Sequence, residues 1–177
     1  MSLLAKIARH LSKANEVLAT DALGAILGDA AAAGLLRQRL AAYAPGIPDA
    51  LRFVTQSVGE DRTRPDVVGL QGDIEAVHVE GKFWAQLTPA QPNGYLARLA
   101  RQNPAPAAGG PDPDPASPPH LGPQQFAGVL LFICPAGRVA ELQAASCALA
   151  NATPRPSTSE WLAADTASGQ VVVITHW

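Results

Sequence analysis

The amino-acid sequence predicts an α/β fold whose elements follow the order αβββαβ, with a mixed central sheet flanked by helices. Apolar residues recur at helical spacing through the N-terminal quarter, and β-branched and aromatic residues then dominate residues 51–82. Two later strand-like runs are separated by helical segments. The 177 residues suit one domain with a substantial core.

The N-terminal quarter is predicted to be helical. Residues 2–28 place apolar side chains at i, i+3 and i+4 spacings, and Gly28 is expected to end this stretch. Asp29 can cap a second helix, because an aspartate oxygen accepts from the free N–H groups of a first turn. That helix is expected to end at Pro45 and Gly46.

A three-stranded meander is predicted to follow. Leu51–Val58, Asp66–Leu70 and Ile74–Lys82 each have the β-branched and partly alternating composition of a strand. Gln71-Gly72-Asp73 supplies a turn between the second and third strands. Short connections favour antiparallel pairing of all three strands.

The second half of the chain is predicted to alternate helix and strand. Thr88 and Pro89 are expected to open a helix that runs to about Gln102, since proline is tolerated in a first turn. Residues 103–123, rich in proline and glycine, are expected to form a flexible insertion, because they cannot bury enough apolar surface to offset their ordering entropy. The further predicted elements are a strand at 129–133, a helix at 138–149 and a strand at 171–175. Because the chain stops soon after an apolar strand, a missing C-terminal continuation is an open alternative.

Composition argues against several classes of protein. The net charge of −2 argues against gripping nucleic acid by bulk electrostatics, so any DNA contact must be local or come from a partner. Cys134 and Cys147 lack metal-ligand spacing and are interpreted as small core residues. The sequence shows neither a signal peptide nor an apolar run of about 20 residues, so a cytoplasmic location away from the membrane is expected.

Side-chain parity tests whether the acidic residues of the meander meet. Successive side chains of a strand alternate between faces, so Glu80 and Lys82 share one face. A connection of odd length, for example Gln71–Glu75, would set Asp66 directly opposite Glu80, with the two Cβ atoms about 5 Å apart. A connection of even length without a bulge would put the two carboxylates on opposite faces.

These residue types suit a hard divalent cation. Mg²⁺ takes oxygen ligands, commonly one or two carboxylates together with waters and substrate phosphate. Asp66 and Glu80 are the predicted ligands, and the main-chain carbonyl of Gly81 is a further candidate. A nearby lysine, Lys82, can orient an attacking water or stabilise negative charge that develops during phosphoryl chemistry.

Pro65-Asp66 followed by Glu80-Gly81-Lys82, in this element order, resembles the PD-(D/E)XK nuclease superfamily, whose fold is called restriction endonuclease-like. The resemblance covers roughly residues 15–142. It implies a metal-dependent endonuclease that hydrolyses phosphodiester bonds in nucleic acid, with DNA favoured over RNA, in phage defence or DNA processing. It also implies Mg²⁺ as cofactor, with Mn²⁺ able to substitute. A homodimer or a partner domain or subunit is expected, because cutting both strands of DNA usually requires two sites.

Two further features extend the resemblance. Gln91 and Tyr95 match the QxxxY motif of RecB-type members, in which these residues contact nucleic acid. Arg98 continues the same helix face and is predicted to bind substrate as well. Glu16 resembles the acidic residue that many members supply from the first core helix, which implies a catalytic role in binding or orienting a metal ion or its water.

Other interpretations stay open. Glu80 and Lys82 could form an exposed ion pair of small energetic value. Gln91 could close a capping box at the start of its helix. His78 shares the face of Glu80 and is interpreted as a structural histidine. For the whole chain, one alternative is a non-catalytic nucleic-acid or protein-interaction module that keeps a nuclease fold. Another is an enzyme domain that is active only inside a larger assembly.

Overall fold

A mixed sheet of seven strands lies between two layers of helices in the computed structural model of the chain. The structure describes residues 16–55, 63–83, 85–88, 90–104, 126–157 and 160–176, with side chains from residue 19 onward. The predicted α/β class, with a mixed central sheet flanked by helices, is confirmed.

The elements of the described residues fall into helices and strands of moderate length. The helices are α1 (Glu16–Leu27), α2 (Ala30–Ala41), α3 (Asn93–Gln102) and α4 (Val139–Ala150), with a short 3₁₀ turn at Ala136–Arg138. The strands are β1 (Arg52–Thr55), β2 (Val67–Gln71), β3 (Ile74–Gly81), β4 (Val129–Cys134), β5 (Thr153–Pro154), β6 (Leu162–Asp165) and β7 (Val171–His176).

The sheet has a parallel centre and antiparallel edges. Its strand order is β1-β2-β3-β4-β7-β6-β5, with β3, β4 and β7 parallel and every other pair antiparallel. A strand at the centre of such a sheet is covered on both faces, which explains the continuous apolar sequence of β4. The helix α3 lies on the chain path between β3 and β4 and packs against both.

Apolar side chains divide into two cores according to strand parity. Val129 and Leu131 of β4 belong to the core beneath α1 and α2, whereas Leu130 and Phe132 belong to the core beneath α3 and α4. Each fully buried side chain of this size contributes about 1.5–3 kcal/mol through removal of apolar surface from water. Tyr95 and Leu99 of α3 belong to the second of these two cores, so α3 and α1 lie on opposite faces of the sheet.

The connection between β2 and β3 is a two-residue turn. Gln71 pairs with Ile74, and Gly72 between them has φ of 61°, a conformation that favours glycine. The odd-length connection considered over Gln71–Glu75 is therefore wrong. By parity alone, an even turn would separate Asp66 from Glu80.

A β-bulge at Ala76 reverses that outcome. The pairing register shifts by one residue at this point, so that Val67 lies opposite Val79. Asp66 precedes Val67 by one residue, and there its carboxyl group accepts from the N–H of Gly81 and lies close enough to Glu80 to be affected by its charge. An even turn combined with a bulge, rather than a connection of odd length, therefore brings the two acidic residues close together.

Two helix starts show how local chemistry sets boundaries. Asp29 caps α2 as predicted, since its Oδ1 accepts from the N–H groups of Ala31 and Ala32, both at 3.0 Å. The helix α3 starts at Asn93 rather than near Thr88, with Pro92 as its N-cap. A proline cannot donate to the helix ladder, so the regular turns begin after it.

Strands β5 and β6 were not predicted. The sequence of β6, Leu-Ala-Ala-Asp, has low intrinsic preference for a strand, yet Ala163 pairs with Val173 and Ala164 with Val172 of β7. Pairing with an already formed apolar strand outweighs weak local preference.

Some predictions concern residues outside the described ranges, namely the helix over residues 2–15 and nearly all of the insertion at 103–123.

In the described ranges, no single helix is long and apolar enough to cross a membrane. Helices α1 and α2 pass that test only when taken together, across a bend of 94°.

Candidate functional site

Asp66 lies immediately before β2 and beside the end of β3. Its Oδ2 accepts a hydrogen bond from the N–H of Gly81 at 2.8 Å, and the side chain of Thr20 on α1 also hydrogen-bonds the carboxyl group. The Asp66 side chain thus extends the contact between β2 and β3 beyond Val67 and Val79, the last residues paired through their backbones. These contacts hold the carboxyl group between α1 and β3.

The protonation of Asp66 reflects first its burial and then the acidic residue next to it. Burial, and after it the negative charge of Glu80, raises the pKa of Asp66 from 3.8 to about 6, against the lowering effects of the Gly81 N–H, the Lys82 charge and Thr20. Glu80 is therefore close enough to Asp66 to repel its charge. When both acids are ionised, two carboxylates face one ammonium group and the site has an excess of negative charge.

Glu80 is buried, and both of its carboxylate oxygens accept hydrogen bonds. Its Oε1 lies 2.8 Å from Nζ of Lys82 and 2.9 Å from Nε2 of Gln91. Its Oε2 lies 3.1 Å from the hydroxyl of Tyr95. Lys82 is buried too, so the interpretation of an exposed Glu80–Lys82 pair is wrong.

The Tyr95 hydroxyl connects Glu80 to the chain that leads into Asp66. It accepts from Nε2 of Gln91 at 2.8 Å and lies 3.2 Å from the carbonyl oxygen of Arg64. Its single proton can serve either this carbonyl or Glu80 at a given moment. Burial, followed by the charge of Glu80, raises the pKa of Tyr95, so the hydroxyl remains a donor.

Gln91 has two functions in this structure. Its Nε2 donates to Glu80 and Tyr95, while its Oε1 lies 3.4 Å from the N–H of Thr88. The second contact is one half of the capping arrangement that the sequence suggested, although α3 itself starts after Pro92. Gln91 therefore contacts both Glu80 and the Thr88 backbone, and its contact with nucleic acid stays a prediction.

A second buried cluster, formed by Glu75, His78 and Arg98, lies along the same face of β3. The bulge at Ala76 puts Glu75 on this face. Nε of Arg98 donates to Oε2 of Glu75 at 2.6 Å, a second bond joins Nη2 to Oε1, and Nε2 of His78 lies 2.9 Å from Oε2. The His78 ring also meets the Tyr95 ring edge to face, with centroids 6.0 Å apart. We call these three residues the Glu75 cluster.

The main chain of Lys82 is held on two sides. Its N–H donates to the carbonyl of Ile133 at 2.8 Å, which attaches it to β4. Nη1 of Arg138 donates to the carbonyls of Lys82 and Ala85, at 3.4 and 3.1 Å. The ammonium group therefore extends from a backbone with little freedom to shift.

Gly81 leaves no room for a side chain. A Cβ placed there would lie 2.8 Å from Cε2 of the buried Phe83 and 3.5 Å from Oδ2 of Asp66. We expect Gly81→Ala to destabilise the fold by roughly 1–3 kcal/mol through overpacking, measured by urea unfolding. Gly34→Ala is the matched control, because a Cβ at that position in α2 meets nothing within 4 Å and should stabilise by about 0.5–1 kcal/mol. Equal stability of the two variants would contradict the packing argument.

The structure brings most of the predicted site residues together. Glu80 and Lys82 form a buried ion pair, and Asp66 lies close enough for both charges to act on its carboxyl group. Gln91 and Tyr95 hydrogen-bond to Glu80. Arg98 lies one turn further along α3, with its guanidinium buried in the Glu75 cluster. Glu16 is the first residue of α1, but its side chain lies outside the described part of the chain. For Gly81, the contact observed is that of its N–H rather than its carbonyl.

Two contributors were missed by sequence analysis. Thr20 follows Glu16 at i+4 on α1, and this shared helix face is the signal that could have indicated its contact with Asp66. Glu75 was overlooked because strict alternation would put it on the face opposite Glu80. Its position depends on the bulge.

The donor atoms fit a small divalent cation. Among the described residues, no three histidine, cysteine, aspartate or glutamate side chains form a ligand set. Mg²⁺, however, is commonly held by one or two carboxylates with water and phosphate oxygens completing its shell. Asp66 and Glu80 are two carboxylates of this kind, and both oxygens of Glu80 accept hydrogen bonds from Lys82, Gln91 and Tyr95 in this structure. A divalent cation would offset the repulsion between the two acids.

Comparison of the chain with protein-family models, with curated proteins and with solved structures found no match.

Proposed function

We propose that this chain is a divalent-metal-dependent nuclease that hydrolyses phosphodiester bonds in nucleic acid, with DNA favoured over RNA. The observation that carries the proposal is the closeness of Asp66 to the buried Glu80–Lys82 pair, whose charges act on it, and the bulge at Ala76 supplies the strand register that leads to this arrangement. The element order αβββαβ and the contacts of Gln91 and Tyr95 with Glu80 add support through their resemblance to PD-(D/E)XK nucleases.

The two carboxylates would hold the cofactor, Mg²⁺ or in its place Mn²⁺. Glu16, from α1, and the main-chain carbonyl of Gly81 are further candidate ligands. When bound, such an ion polarises a phosphoryl oxygen and acidifies a water molecule. Thr20 and the Gly81 N–H orient Asp66 for this purpose, and Gln91 and Tyr95 orient Glu80.

Lys82 is the proposed catalytic cation of the protein itself. Its ammonium group is buried against Glu80, so a charge that develops nearby is poorly screened by solvent. We assign it the positioning of the attacking water and the stabilisation of charge on the phosphoryl group. Contacts of Gln91, Tyr95 and Arg98 with substrate stay predictions, since these side chains bind Glu80 and Glu75 in the free protein.

The proposal is tested by Asp66→Asn, with Asp73→Asn as the matched control. Asp73 is an exposed aspartate in the turn of the same hairpin. We expect the wild type and the control to cleave plasmid DNA with Mg²⁺ or Mn²⁺ and to bind Mn²⁺ in calorimetry. Asp66→Asn should weaken both by at least roughly 10- to 100-fold. A wild type that neither cleaves any nucleic acid nor binds Mn²⁺ would overturn the proposal.

A second candidate is a non-catalytic nucleic-acid or protein-interaction module that retains this arrangement. The net charge of −2 and the engagement of both Glu80 oxygens by neighbouring side chains favour it. Such a module would show no Mn²⁺ heat that depends on Asp66. The same calorimetric titration therefore separates the two candidates.

A further inference from the structure

The helix α3 attaches at two points to the backbone just before Asp66. Nη1 of Arg98 donates to the carbonyl oxygen of Thr63 at 2.9 Å, and the Tyr95 hydroxyl lies 3.2 Å from the carbonyl oxygen of Arg64. Tyr95 and Arg98 are neighbours on one helix face, so they reach adjacent carbonyls. The same helix therefore contacts both Glu80 and the chain that carries Asp66.

Arg98 is itself held in one orientation. Its guanidinium makes a two-point contact with the carboxylate of Glu75 on β3, and the side chains of Arg98 and Glu75 are only 6% and 9% exposed, respectively. A guanidinium is planar, so alignment of two of its nitrogens on a carboxylate also sets the direction of the third. In this structure the third nitrogen, Nη1, is directed at Thr63.

These contacts form a closed loop around the proposed site. The loop runs from Glu75 on β3 through Arg98 to Thr63, along the main chain to Asp66, and back to β3 through the N–H of Gly81. Both ends of the loop lie on the strand that carries Glu80. A change in the position of Arg98 would therefore change the position of Asp66 relative to Glu80.

We infer that Arg98 is a positioning residue, which holds the Asp66 carboxylate in place relative to that of Glu80 through the Thr63 carbonyl. This inference rests on the proposed function and gives Arg98 a role different from the predicted contact with substrate. Contact with substrate would require the guanidinium to leave Glu75, with a carboxylate left buried without its partner. Positioning uses the contacts that are already made.

The test is Arg98→Lys, with Arg101→Lys as the matched control in the same helix. Lysine keeps the charge but cannot contact both Glu75 oxygens and the Thr63 carbonyl at once. Arg101 is exposed and outside the proposed site. Four quantities are measured for each protein: the Mn²⁺ dissociation constant, kcat on DNA, KM on DNA, and the exchange rate of the Gly81 amide hydrogen without metal.

For Arg98→Lys we expect Mn²⁺ affinity and kcat to fall by roughly 10- to 100-fold, as for other residues that orient metal ligands, with KM nearly unchanged. The Gly81 amide hydrogen should exchange faster, because the Asp66 carboxylate that accepts from it is less well held. Arg101→Lys should leave all four quantities at the wild-type values.

Other outcomes would overturn the inference. A rise in KM alone would assign Arg98 to substrate contact, and a fall in thermal stability alone would assign it to the fold. If the wild type cleaves and binds Mn²⁺ but both lysine variants behave alike, the positioning role fails while the proposed function stands. If the wild type does neither, both fail.

If Arg98→Lys does not fold, a double variant tests the same inference. The pair Glu75→Gln with Arg98→Met removes both charges, so no carboxylate is left buried without a partner. It also removes the bond to Thr63. If this folded variant binds Mn²⁺ as tightly as wild type and has an unchanged kcat, Arg98 does not position Asp66.

Discussion

Lys82→Ala is expected to slow phosphodiester cleavage by roughly 10²- to 10³-fold while Mn²⁺ binding persists. The ammonium group is 2.8 Å from Oε1 of Glu80 and is not a candidate metal ligand, so its loss removes charge stabilisation but leaves both carboxylates. The measurements are single-turnover cleavage rates on plasmid or oligonucleotide DNA and calorimetric Mn²⁺ titration. Loss of cleavage with binding retained would separate the role of Lys82 from that of Asp66.

Two controls accompany this prediction. Lys82→Met keeps most of the apolar stem, which packs in a buried site, so it should lose less stability than Lys82→Ala, while both variants leave buried Glu80 without its cationic partner and should be equally inactive. Arg101→Ala removes a positive charge from an exposed part of α3 and should cleave within about threefold of wild type. Lys82 variants that retain wild-type rates would contradict the catalytic role.

Arg98→Ala is expected to lower the free energy of unfolding by about 3–5 kcal/mol, because it leaves the Glu75 carboxylate buried without its main cationic partner. Urea unfolding near pH 7 measures the effect. Arg101→Ala, which removes an exposed guanidinium from the same helix, should change stability by no more than about 0.5 kcal/mol. A loss below about 1 kcal/mol for Arg98→Ala would show that the Glu75 cluster contributes little to the fold.

The effect of Arg98→Ala should also depend on pH. Burial tends to raise the pKa of Glu75, but the hydrogen bonds from His78 and Arg98 outweigh it and hold this pKa at about 2, below the ordinary 4.5. A carboxyl with a lowered pKa stabilises the folded state above its ordinary pKa, and that contribution is lost as the pH falls towards the folded value. The difference between wild type and variant should therefore be largest near neutrality and shrink between pH 4.5 and about 2. A difference that stays constant across this window would contradict the assignment to ionised Glu75.

Much of the local structure could be predicted because it depends on neighbours along the chain. The cap at Asp29 and the apolar strand β4 follow from short-range patterns, and both agree with the sequence prediction. The short strand β6 could not be predicted, because its residues become a strand by pairing with β7.

The sequence predicted which residues form the site but not how the fold brings them together. Asp66, Glu80 and Lys82 stand out from their residue types and spacing, whereas their meeting depends on one extra residue at Ala76. A signal for the bulge was present, because glycine inside a strand often marks one, and Gly69 lies at the register shift.

The tertiary contacts of Gly69 explain why sequence alone could not use that signal. A Cβ at this position would lie 2.8 Å from the Phe53 ring of β1 and 3.1 Å from Cβ of Val77. The neighbouring strand thus occupies the space above the glycine, and that packing involves residues far apart in the sequence. Local periodicity in the sequence could therefore not predict the pairing register of β2 and β3.

By itself, the sequence determined the α/β class, the order of the central elements and the set of acidic, basic and amide side chains around the site, because backbone preferences and hydrophobic periodicity act over a few neighbouring residues. Only the tertiary structure decided that the bulge sets Asp66 beside Glu80, that Thr20 contacts Asp66, and that Arg98 pairs with Glu75 rather than extending to solvent. Those outcomes depend on packing and charge compensation between distant segments, which become defined only when the sheet and its helices are assembled.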